Sequence, residues 1–342
     1  MKWYIDKGPE SDVILSSRIR LARNLQGYPF PNRMTREASA KLGKEVLNSL
    51  KQRTDHSKGK FRTLEMSELG SEDKLALVER HLISEELTDP GLVRYAYISD
   101  DESVSVMINE EDHIRIQAME AGLKLEEAYK AASDIAIHLE KTLQVGYSEK
   151  YGFTTACPSN TGTGMRASVI MHLPALTMTE KAGTVVEKIR KMGYSVRGYY
   201  GEHSSVQGSM FQISNQITLG LGEEELIVDL KKLISHIAEQ ERTARKQLSS
   251  KSPDLIEDRI FRAIGVLKYA RKLSSEETLQ LISEVRLGKA LGIIDKPDEV
   301  NFNRIMSSIG PANIQKSEGR IMEPPERDKA RALLVQREME GV

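Results

Sequence analysis

Short runs of alternating apolar and polar residues occupy much of the chain between residues 13 and 219 and predict β-strands. After an apolar run at 13–15, Ile19 and Leu21 alternate with Arg18 and Arg20. Further strands are predicted over 103–109, 113–117, 151–155, 168–173, 194–203 and 210–219. Each such strand has one apolar face, so we expect it to cover a core on that side.

Helical spacing of apolar residues predicts the remaining elements. Helices are predicted over 35–55, 71–87, 124–143, 179–192, 223–248, 254–273, 275–290, 297–308 and 325–339. The segment from Ser249 to Pro253 breaks the pattern, and only helices are predicted after it. We therefore expect the α+β fold class, with a polar lead-in over 1–12, a mixed domain over 13–250 and a small all-helical domain over 251–342.

The composition describes a folded soluble protein, with 39% hydrophobic and 29% charged residues. Lys and Arg total 49 against 50 acidic residues, which gives no indication of direct binding to nucleic acid or to an anionic membrane. The single cysteine excludes an internal disulfide and fits a reducing cytosol. No apolar run approaches the ~20 residues that cross a bilayer, and the N-terminus does not resemble a signal peptide. We therefore expect a cytoplasmic protein.

The stretch 157–174 holds the densest group of chemically useful residues. Gly162 and Gly164 accept positive φ at little cost, so its first half can fold as a tight loop. Arg166 stands where this loop meets the following strand. The cysteine thiol, small hydroxyl groups, flexible backbone amides and this arginine indicate a candidate anion site. A Gly-rich hairpin with a surface arginine is the alternative for this stretch taken alone.

Five arginines lie on or beside predicted strands in four separate segments, namely Arg18, Arg20, Arg115, Arg166 and Arg197. In an extended chain, alternation places Arg18 and Arg20 on one face, where two planar forks of donors suit a polyphosphate. A solvated basic edge strand is the alternative for that segment. The sequence has no Walker-type P-loop and no His-Arg-Asp and Asp-Phe-Gly pair.

If the chain uses ATP, the phosphates must therefore be held by something other than a P-loop. Phosphoryl transfer requires alignment and charge neutralisation more than covalent help, and a ring of arginines supplies both. Mg²⁺ would also be required. We expect phosphate and water to hold it, because it sheds its hydration shell reluctantly and the sequence shows no metal-ligand spacing.

Acidic residues indicate a cationic acceptor. Glu110, Glu111 and Asp112 follow one predicted strand, and their mutual repulsion costs stability unless a cation lies nearby. A solvated acidic turn is the usual alternative for such a cluster. Glu111 and Glu202 could instead orient a planar guanidinium, which carboxylates match in bidentate geometry. The pKa of a guanidinium exceeds ~12, so its proton should leave as the bond to phosphorus forms.

Taken together and in this order, the motifs resemble those of the phosphagen (guanidino) kinases. The resemblance is carried by the segments 16–20, 109–113 and 157–174, and it extends from about Ser11 to the C-terminus. It implies a phosphagen-kinase-like catalytic domain over 13–250, in which helices flank a largely antiparallel sheet. It also implies an ATP-dependent phosphotransferase that uses Mg²⁺.

The resemblance implies roles for individual residues as well. Glu111 falls on the position of the catalytic base, Glu202 on that of its orienting partner, and Cys157 on that of a cysteine beside the substrate guanidinium. For Cys157, a small buried structural residue is the alternative. The implied ATP-binding residues are Ser16, Ser17, Arg18, Ile19, Arg20, His81, Arg115, Arg166, Ala167, Ser168, Val169, Ile170, Arg197, Gly198, Tyr199, Tyr200, Gly201 and Glu202.

The two ends of the chain favour one branch of the family. Only 15 residues precede Ser16, where kinases of creatine and free arginine carry a helical domain that helps to enclose a small substrate. This chain instead has the helical domain over 251–342. The resemblance therefore implies phosphorylation of arginine side chains in proteins. A kinase for a small guanidino metabolite such as free arginine, and a non-catalytic adaptor that binds phosphoarginine, are the alternatives.

Arg327, Asp328 and Arg331 form a motif near the C-terminus, where Pro324 and Pro325 predict the start of a helix. On physical grounds, an exposed ion-pair cluster is the favoured interpretation of this motif. The resemblance implies an allosteric or docking site for phosphorylated arginine, with arginines contacting the phosphate and the carboxylate contacting the guanidinium.

The resemblance also implies partners. They are unfolded proteins and a stress-response repressor as substrates, a zinc-binding activator protein, and a Clp-type protease that degrades the marked proteins. Self-association through the helical domain, as a dimer or a larger homo-oligomer, is a further expectation.

Overall fold

The computed structural model describes residues 2–5, 7–53, 59–199, 207–294 and 301–340. The chain divides into two compact units. The first unit consists of Met1–Gly8, Ser16–Ser168 and Ser214–Lys231. The second unit consists of Pro9–Leu15, Val169–Ile213 and Lys232–Val342. Because each unit is assembled from three separate segments, the expected division into 13–250 and 251–342 remains a prediction.

The described residues form ten strands, namely β1 (Ile14–Arg23), β2 (Phe61–Glu65), β3 (Tyr95–Ser99), β4 (Val104–Ile108), β5 (Ile114–Ala121), β6 (Tyr147–Ser148), β7 (Gly152–Phe153), β8 (Met165–His172), β9 (Tyr194–Gly198) and β10 (Met210–Asn215). Eight of them form one sheet in the order β2-β3-β4-β5-β1-β8-β10-β9, and β6 and β7 form a hairpin. The pairs β2/β3, β3/β4, β4/β5 and β1/β5 are antiparallel. The expected α+β class with a largely antiparallel sheet is confirmed.

Eleven α-helices are described. They are α1 (Arg36–Lys51), α2 (Ser71–Glu79), α3 (Leu125–Thr142), α4 (Pro174–Met178), α5 (Ala182–Lys191), α6 (Glu223–Lys251), α7 (Pro253–Tyr269), α8 (Ser275–Ala290), α9 (Phe302–Ser308), α10 (Pro311–Glu318) and α11 (Pro324–Glu338). Side-chain caps begin α1, α8 and α9, since Thr35, Ser274 and Asn301 each accept a hydrogen bond from a backbone N–H in the first turn. Among the described residues, no helix is long and apolar enough to cross a membrane.

Each unit has its own apolar core. In the first unit, one cluster packs α2 and the segment after it against strands β3 to β5, and it contains Met66, Leu77, Leu82, Ile83, Leu87, Ala96, Ile98, Met107 and Met119. In the second unit, the largest contributions come from α7, α8, α9 and α11, together with Leu15, Ile170, Tyr199 and Met210. The all-helical character expected for 251–342 is therefore observed in its described part, where helices bury their apolar faces against one another.

Several elements differ from the sequence-based expectation, and each difference has a local cause. The helix expected over 71–87 ends at Glu79, because His81 adopts a left-handed conformation with φ 58°. The strand expected over 210–219 ends at Asn215, whose side chain donates to a backbone carbonyl of the loop that follows. Strand β3 is buried on both faces, so its sequence shows no alternation. Strand β2 and helices α4 and α10 were not expected either.

Candidate active site

Three arginines share one face of the sheet in the first unit. Arg18 and Arg20 alternate on β1 with Ile19, which is fully buried on the opposite face. On the neighbouring antiparallel strand β5, Arg115 stands opposite Ala22. Residues that face each other across an antiparallel pair project to the same side, and Ala22 is two positions from Arg20. The register therefore places Arg18, Arg20 and Arg115 together.

Arg166 on β8 is the fourth member of this group. Its Nε and Nη2 donate to Ser214 Oγ at 3.2 and 3.1 Å, which fixes the plane of the guanidinium. Ser168, two positions further along the same strand, lies with Oγ 3.4 Å from Arg18 Nε. Strand β8 therefore brings its arginine to the edge of the cluster, and we call Arg18, Arg20, Arg115 and Arg166 the arginine face.

The arginine face carries concentrated positive charge. Burial lowers the pKa of Arg20 well below its usual value, and the charges of Arg18, Arg115 and Arg166 lower that pKa further. Arg20 Nε is buried and has no hydrogen-bond partner among the described residues. A buried donor without a partner costs free energy, as does the crowding of like charges. A bound polyanion would remove both costs.

His81 is held over the arginine face by the end of α2. The side chain of Gln117, which stands opposite Arg20 in the β1/β5 register, donates to His81 O at 2.6 Å. Burial lowers the pKa of His81 to about 3, and the charges of Arg18 and Arg20 add to this effect. The imidazole is therefore neutral at physiological pH, and it offers a hydrogen-bonding group without adding charge.

A salt bridge next to His81 fixes the end of the helix. Arg80 donates through Nη1 to Glu102 Oε1 at 2.7 Å and through Nε to Ala76 O at 3.2 Å. Glu102 is only 1% exposed, and the same oxygen lies 2.8 Å from Lys2 Nζ. We did not expect this pair from the sequence, where its two members are separate charged residues in unrelated segments. Its effect is to restrain the residue that precedes His81.

The acidic loop between β4 and β5 is tied directly to the arginine face. The Glu110 carboxylate is fully buried, and its Oε1 accepts hydrogen bonds from Arg115 Nη1 and, at 2.5 Å, from Ser84 Oγ. Its Oε2 accepts from the backbone N of Glu111 at 2.8 Å. Cations thus compensate the clustered carboxylates, as the sequence had suggested. No role for Glu110 was predicted from the sequence, where its spacing from Arg115 is the signal that could have indicated one.

Glu111, the next residue of the loop, remains accessible. Its side chain is 40% exposed, and its Oε2 lies 3.5 Å from Arg115 Nη2. Burial raises the pKa of Glu111; Arg115 opposes the rise, while Asp112 and Glu110 reinforce it. A carboxylate with a raised pKa accepts a proton more readily than an ordinary one, and this is the property required of a general base.

Asp112 joins the acidic loop to the loop that carries Cys157. Its Oδ1 accepts hydrogen bonds from Asn24 Nδ2 and from the backbone N of Ala156, both at 2.7 Å. Cys157 is the next residue, and its Sγ lies 3.0 Å from Ser159 Oγ. The half-buried thiol is therefore held near the carboxylates rather than inside an apolar core. Cys157 is the free cysteine of the chain.

The other expected nucleotide contacts occupy varied environments. Ser17 Oγ donates to Gly122 O at 2.8 Å and accepts from Lys124 N at 3.0 Å, so it supports the fold. The remaining β1 and β8 positions, Ser16, Ile19, Ala167, Ser168, Val169 and Ile170, are all buried along their strands. In the second unit, Arg197 and Gly198 lie on β9 and Tyr199 follows it in the apolar core. Tyr200, Gly201 and Glu202 lie outside the described residues.

The C-terminal motif is less exposed than the sequence suggested. Arg331 on α11 is 1% exposed and donates through Nε to Ile309 O at 2.7 Å. Its Nη1 donates to Leu273 O at 2.7 Å and to Asp328 Oδ1 at 2.6 Å. Arg327 and Asp328 are half-buried. Within the second unit, Arg331 therefore links three chain segments, and its neighbours in the motif stand nearer to solvent.

The described residues contain no group of three or more His, Cys, Asp or Glu that could hold a metal ion. In the first unit, Glu110 is already committed to Arg115 and Ser84, and Asp112 Oδ1 is committed to two N–H donors. Glu111 is the accessible carboxylate of the loop. This donor set fits an ion whose ligands are mainly phosphate and water, as is common for Mg²⁺.

Comparison with known proteins places these features in a family. Residues 41–244 match the family described as ATP:guanido phosphotransferase, C-terminal catalytic domain, and residues 253–342 match the McsB C-terminal domain of protein-arginine kinase. The chain is similar to a protein-arginine kinase of Moorella thermoacetica, with 44% identity over 99% of this chain and 97% of that protein. It is similar to one of Halothermothrix orenii, with 43% identity over 97% of this chain and 95% of that protein.

Solved structures agree with this relationship. The duplicated taurocyamine kinase of Schistosoma mansoni with bound transition-state analogue components is 28% identical, has a TM-score of 0.63 and matches 71% of this chain and 35% of that one. A lombricine kinase has the same fold, with a TM-score of 0.61 and 24% identity over 72% of this chain and 70% of that one. The chain belongs to the protein-arginine kinases, within the ATP:guanido phosphotransferase family.

Proposed function

We propose that this protein-arginine kinase transfers the γ-phosphoryl group of ATP to a guanidinium nitrogen of arginine side chains in proteins. The observation that carries the proposal is the arginine face, which lies beside a buried carboxylate and an accessible one. The basic side chains suit a triphosphate, and the accessible carboxylate suits a guanidinium. These basic and acidic side chains all come from the first unit.

The arginine face would hold and polarise the triphosphate. Arg115 is restrained by Glu110, and Arg166 is restrained by Ser214, so both guanidinium planes are oriented before the nucleotide arrives. Arg20 has an unused buried donor that a phosphate oxygen could satisfy. A preorganised cation beside the transferred group stabilises the charge on its equatorial oxygens, and a single arginine contributes ~10³-fold or more in comparable enzymes.

Glu111 would accept the proton. As the guanidinium nitrogen attacks, a nitrogen–phosphorus bond forms, the bond from phosphorus to the β,γ-bridging oxygen breaks, and ADP leaves with its electron pair. The proton lost by the attacking nitrogen passes to Glu111, whose pKa is raised by burial. We further propose Glu202 as the second carboxylate on the guanidinium, and Cys157 as a group beside it. Bound Mg²⁺ would supply additional neutralisation of phosphate charge.

Nucleotide contacts beyond the arginine face are proposed as well. His81 stands over Arg18 and Arg20 as a neutral group, which suits the base or ribose better than the phosphates. Arg197, on β9, would contribute a further guanidinium. The remaining backbone segments of β1, β8 and 197–202 would line the nucleotide, as the family resemblance implies.

The direct test supplies ATP, Mg²⁺ and either unfolded casein or free arginine, and it uses mass spectrometry to identify N-phosphorylated arginine. We expect phosphoarginine on the side chains of casein. Phosphorylation confined to free arginine would favour a metabolite kinase. The Glu111→Gln variant should bind ATP but phosphorylate both substrates at least ~10²-fold more slowly than the wild type. Phosphorylation by that variant at the wild-type rate would contradict the assignment of Glu111 as the base.

A second site for phosphoarginine is proposed at the C-terminal motif. Asp328 is 34% exposed and directs one oxygen towards Arg331, so its other oxygen and the half-buried Arg327 could receive a ligand. Isothermal titration of the full chain with phosphoarginine tests the assignment. Asp328→Ala should weaken binding at least tenfold, while Glu318→Ala, an exposed acidic position at the end of α10, should leave it unchanged. Equal affinities for wild type and Asp328→Ala would exclude the site.

The cellular setting follows from the same resemblance and is likewise proposed. The protein would act in the cytoplasm on unfolded proteins and on a stress-response repressor, together with a zinc-binding activator. Its products would be degraded by a Clp-type protease. The proposed homo-oligomer can be tested by light scattering of the full chain and of a chain shortened before residue 253.

A further inference from the structure

The loop 216–222, between β10 and α6 in the first unit, exposes apolar side chains that the proposed chemistry does not use. Ile217 is 54% exposed and Leu219 is 53% exposed, whereas Thr218 between them is 6% exposed. Large aliphatic side chains are costly to leave in water, so an ordered group of them on a surface commonly marks a binding site.

Hydrogen bonds fix the loop so that Thr218 is buried and its two neighbours are exposed. Thr218 Oγ1 lies 2.9 Å from Ser159 O and 2.7 Å from Thr161 O, and Thr218 O accepts from Thr163 N at 3.0 Å. These contacts direct the threonine inward, so the residues on either side of it must point outward. The exposure of Ile217 and Leu219 is therefore a property of an anchored backbone.

Two glycines extend the surface. A Cβ at Gly162 would lie 2.1 Å from Thr218 O and 2.9 Å from Leu219 Cα, and a Cβ at Gly152 would lie 2.3 Å from Gly162 O. Three backbone segments can therefore stack closely only because both positions lack a side chain. Tyr151, which precedes Gly152, is 50% exposed. We call Tyr151, Ile217 and Leu219 the apolar shelf.

The apolar shelf adjoins the proposed acceptor site. Ser159 provides the link, because its carbonyl contacts Thr218 and its hydroxyl lies 3.0 Å from Cys157 Sγ. An extended polypeptide advances about 3.3 Å per residue. Residues that neighbour an arginine placed beside Cys157 are therefore close enough to reach this loop.

We propose that the apolar shelf binds apolar side chains close to the acceptor arginine, so that Ile217 and Leu219 set a preference for arginines with apolar neighbours in the sequence. The proposal rests on the proposed function and specifies its substrate. Side chains that neighbour each other along an extended segment can contact one surface together with the acceptor arginine. Because hydrogen bonds already anchor the loop backbone, the enzyme loses little conformational entropy when a peptide binds.

The test uses two soluble peptides of equal length with a central arginine, one flanked by glycine and serine and the other by leucine and phenylalanine. Phosphoarginine formation is measured by mass spectrometry as kcat/KM. We expect at least a tenfold preference of the wild type for the apolar peptide, since burial of one aliphatic side chain changes an equilibrium constant by roughly tenfold. In Ile217→Gln with Leu219→Gln, this preference should disappear while the glycine-flanked peptide reacts as before.

Ile137→Gln serves as the matched control, because Ile137 is a similarly exposed aliphatic residue on α3 of the same unit. It should retain the wild-type preference. Equal reaction of the wild type with both peptides, or equal loss of both reactions in the double variant, would overturn the shelf proposal. A changed oligomer in light scattering with an unchanged peptide preference would instead assign the surface to a second copy of the chain. Absence of phosphoarginine with either peptide and with unfolded casein would refute the proposed function itself.

Discussion

Replacement of Glu111 by glutamine should strongly slow phosphoryl transfer and slightly stabilise the protein at neutral pH. Glutamine keeps the size of the side chain but cannot take up the proton released by the attacking nitrogen. A positioned general base typically contributes ~10²–10⁴-fold to a rate, so we expect kcat to fall by a factor in that range. ATP affinity should change little, because the arginine face and Glu110 remain in place.

The expected gain in stability follows from the sign of the pKa shift. Burial raises the pKa of Glu111 above its ordinary value of 4.5, so the folded protein binds this proton more tightly than the unfolded chain does. That contribution to stability is present at low pH and is lost as pH rises through the folded-state pKa. The side chain is 40% exposed, and solvent screening therefore limits the effect to well under ~1 kcal/mol at neutral pH.

Thermal unfolding at pH 7 and pH 4, combined with a phosphorylation assay at pH 7, provides the measurement. Glu111→Gln should unfold at a temperature equal to or slightly above that of the wild type at pH 7, and the difference should shrink at pH 4. Glu149→Gln, an exposed substitution in the turn between β6 and β7, should change neither quantity. A Glu111→Gln protein that is clearly less stable at pH 7, or that keeps its turnover, would refute the argument.

Other substitutions probe the surroundings of the site. Glu110→Gln removes the buried carboxylate and leaves Arg115 only the more exposed Glu111 as an ion-pair partner, so urea denaturation should show a loss of up to roughly 3–5 kcal/mol; a loss below ~1 kcal/mol would count against a buried pair. Glu102→Gln and Arg80→Met each remove the salt bridge that restrains the residue before His81, so each should raise KM for ATP more than it lowers kcat. Arg80→Lys should recover part of the lost ATP affinity. Unchanged ATP kinetics would show that the salt bridge does not position His81. Because the pKa of His81 is lowered to about 3, stability should fall as pH drops from about 6.5 towards 3, and His81→Gln should flatten that decline. Arg331→Met should increase hydrogen exchange at the starts of α8 and α11, and protection equal to the wild type would show that its hydrogen bonds matter little.

The strand pattern was sufficient to predict half of the arginine face. Alternation on β1 placed Arg18 and Arg20 on one side, and the same rule applied to Arg115 on β5. What alternation cannot provide is the register between strands, which sets Arg115 opposite Ala22. The proximity of Arg115 to the two β1 arginines was therefore expected only from the family resemblance, and the strand register in the structure gives its physical basis.

Features that depend on a single backbone conformation could not be predicted. The left-handed conformation of His81 ends α2 eight residues before the expected end at residue 87 and turns the imidazole over the arginine face. Apolar alternation at Ile217 and Leu219 predicted a strand, but the hydrogen bonds of Asn215 end β10 and leave those side chains in solvent. Local sequence reports the spacing of residues, whereas these outcomes depend on which distant carbonyl receives a side-chain donor.

The Arg331 guanidinium in the second unit connects two helix ends, because it donates to the carbonyl before α8 and to the carbonyl that follows α9. An anion that draws this group away must first undo those two attachments. Part of its binding free energy would then be converted into loosening of the helix ends, and affinity would be lower than the number of contacts suggests. Binding of any ligand that displaces Arg331 at this motif would therefore be coupled to the stability of these helix ends.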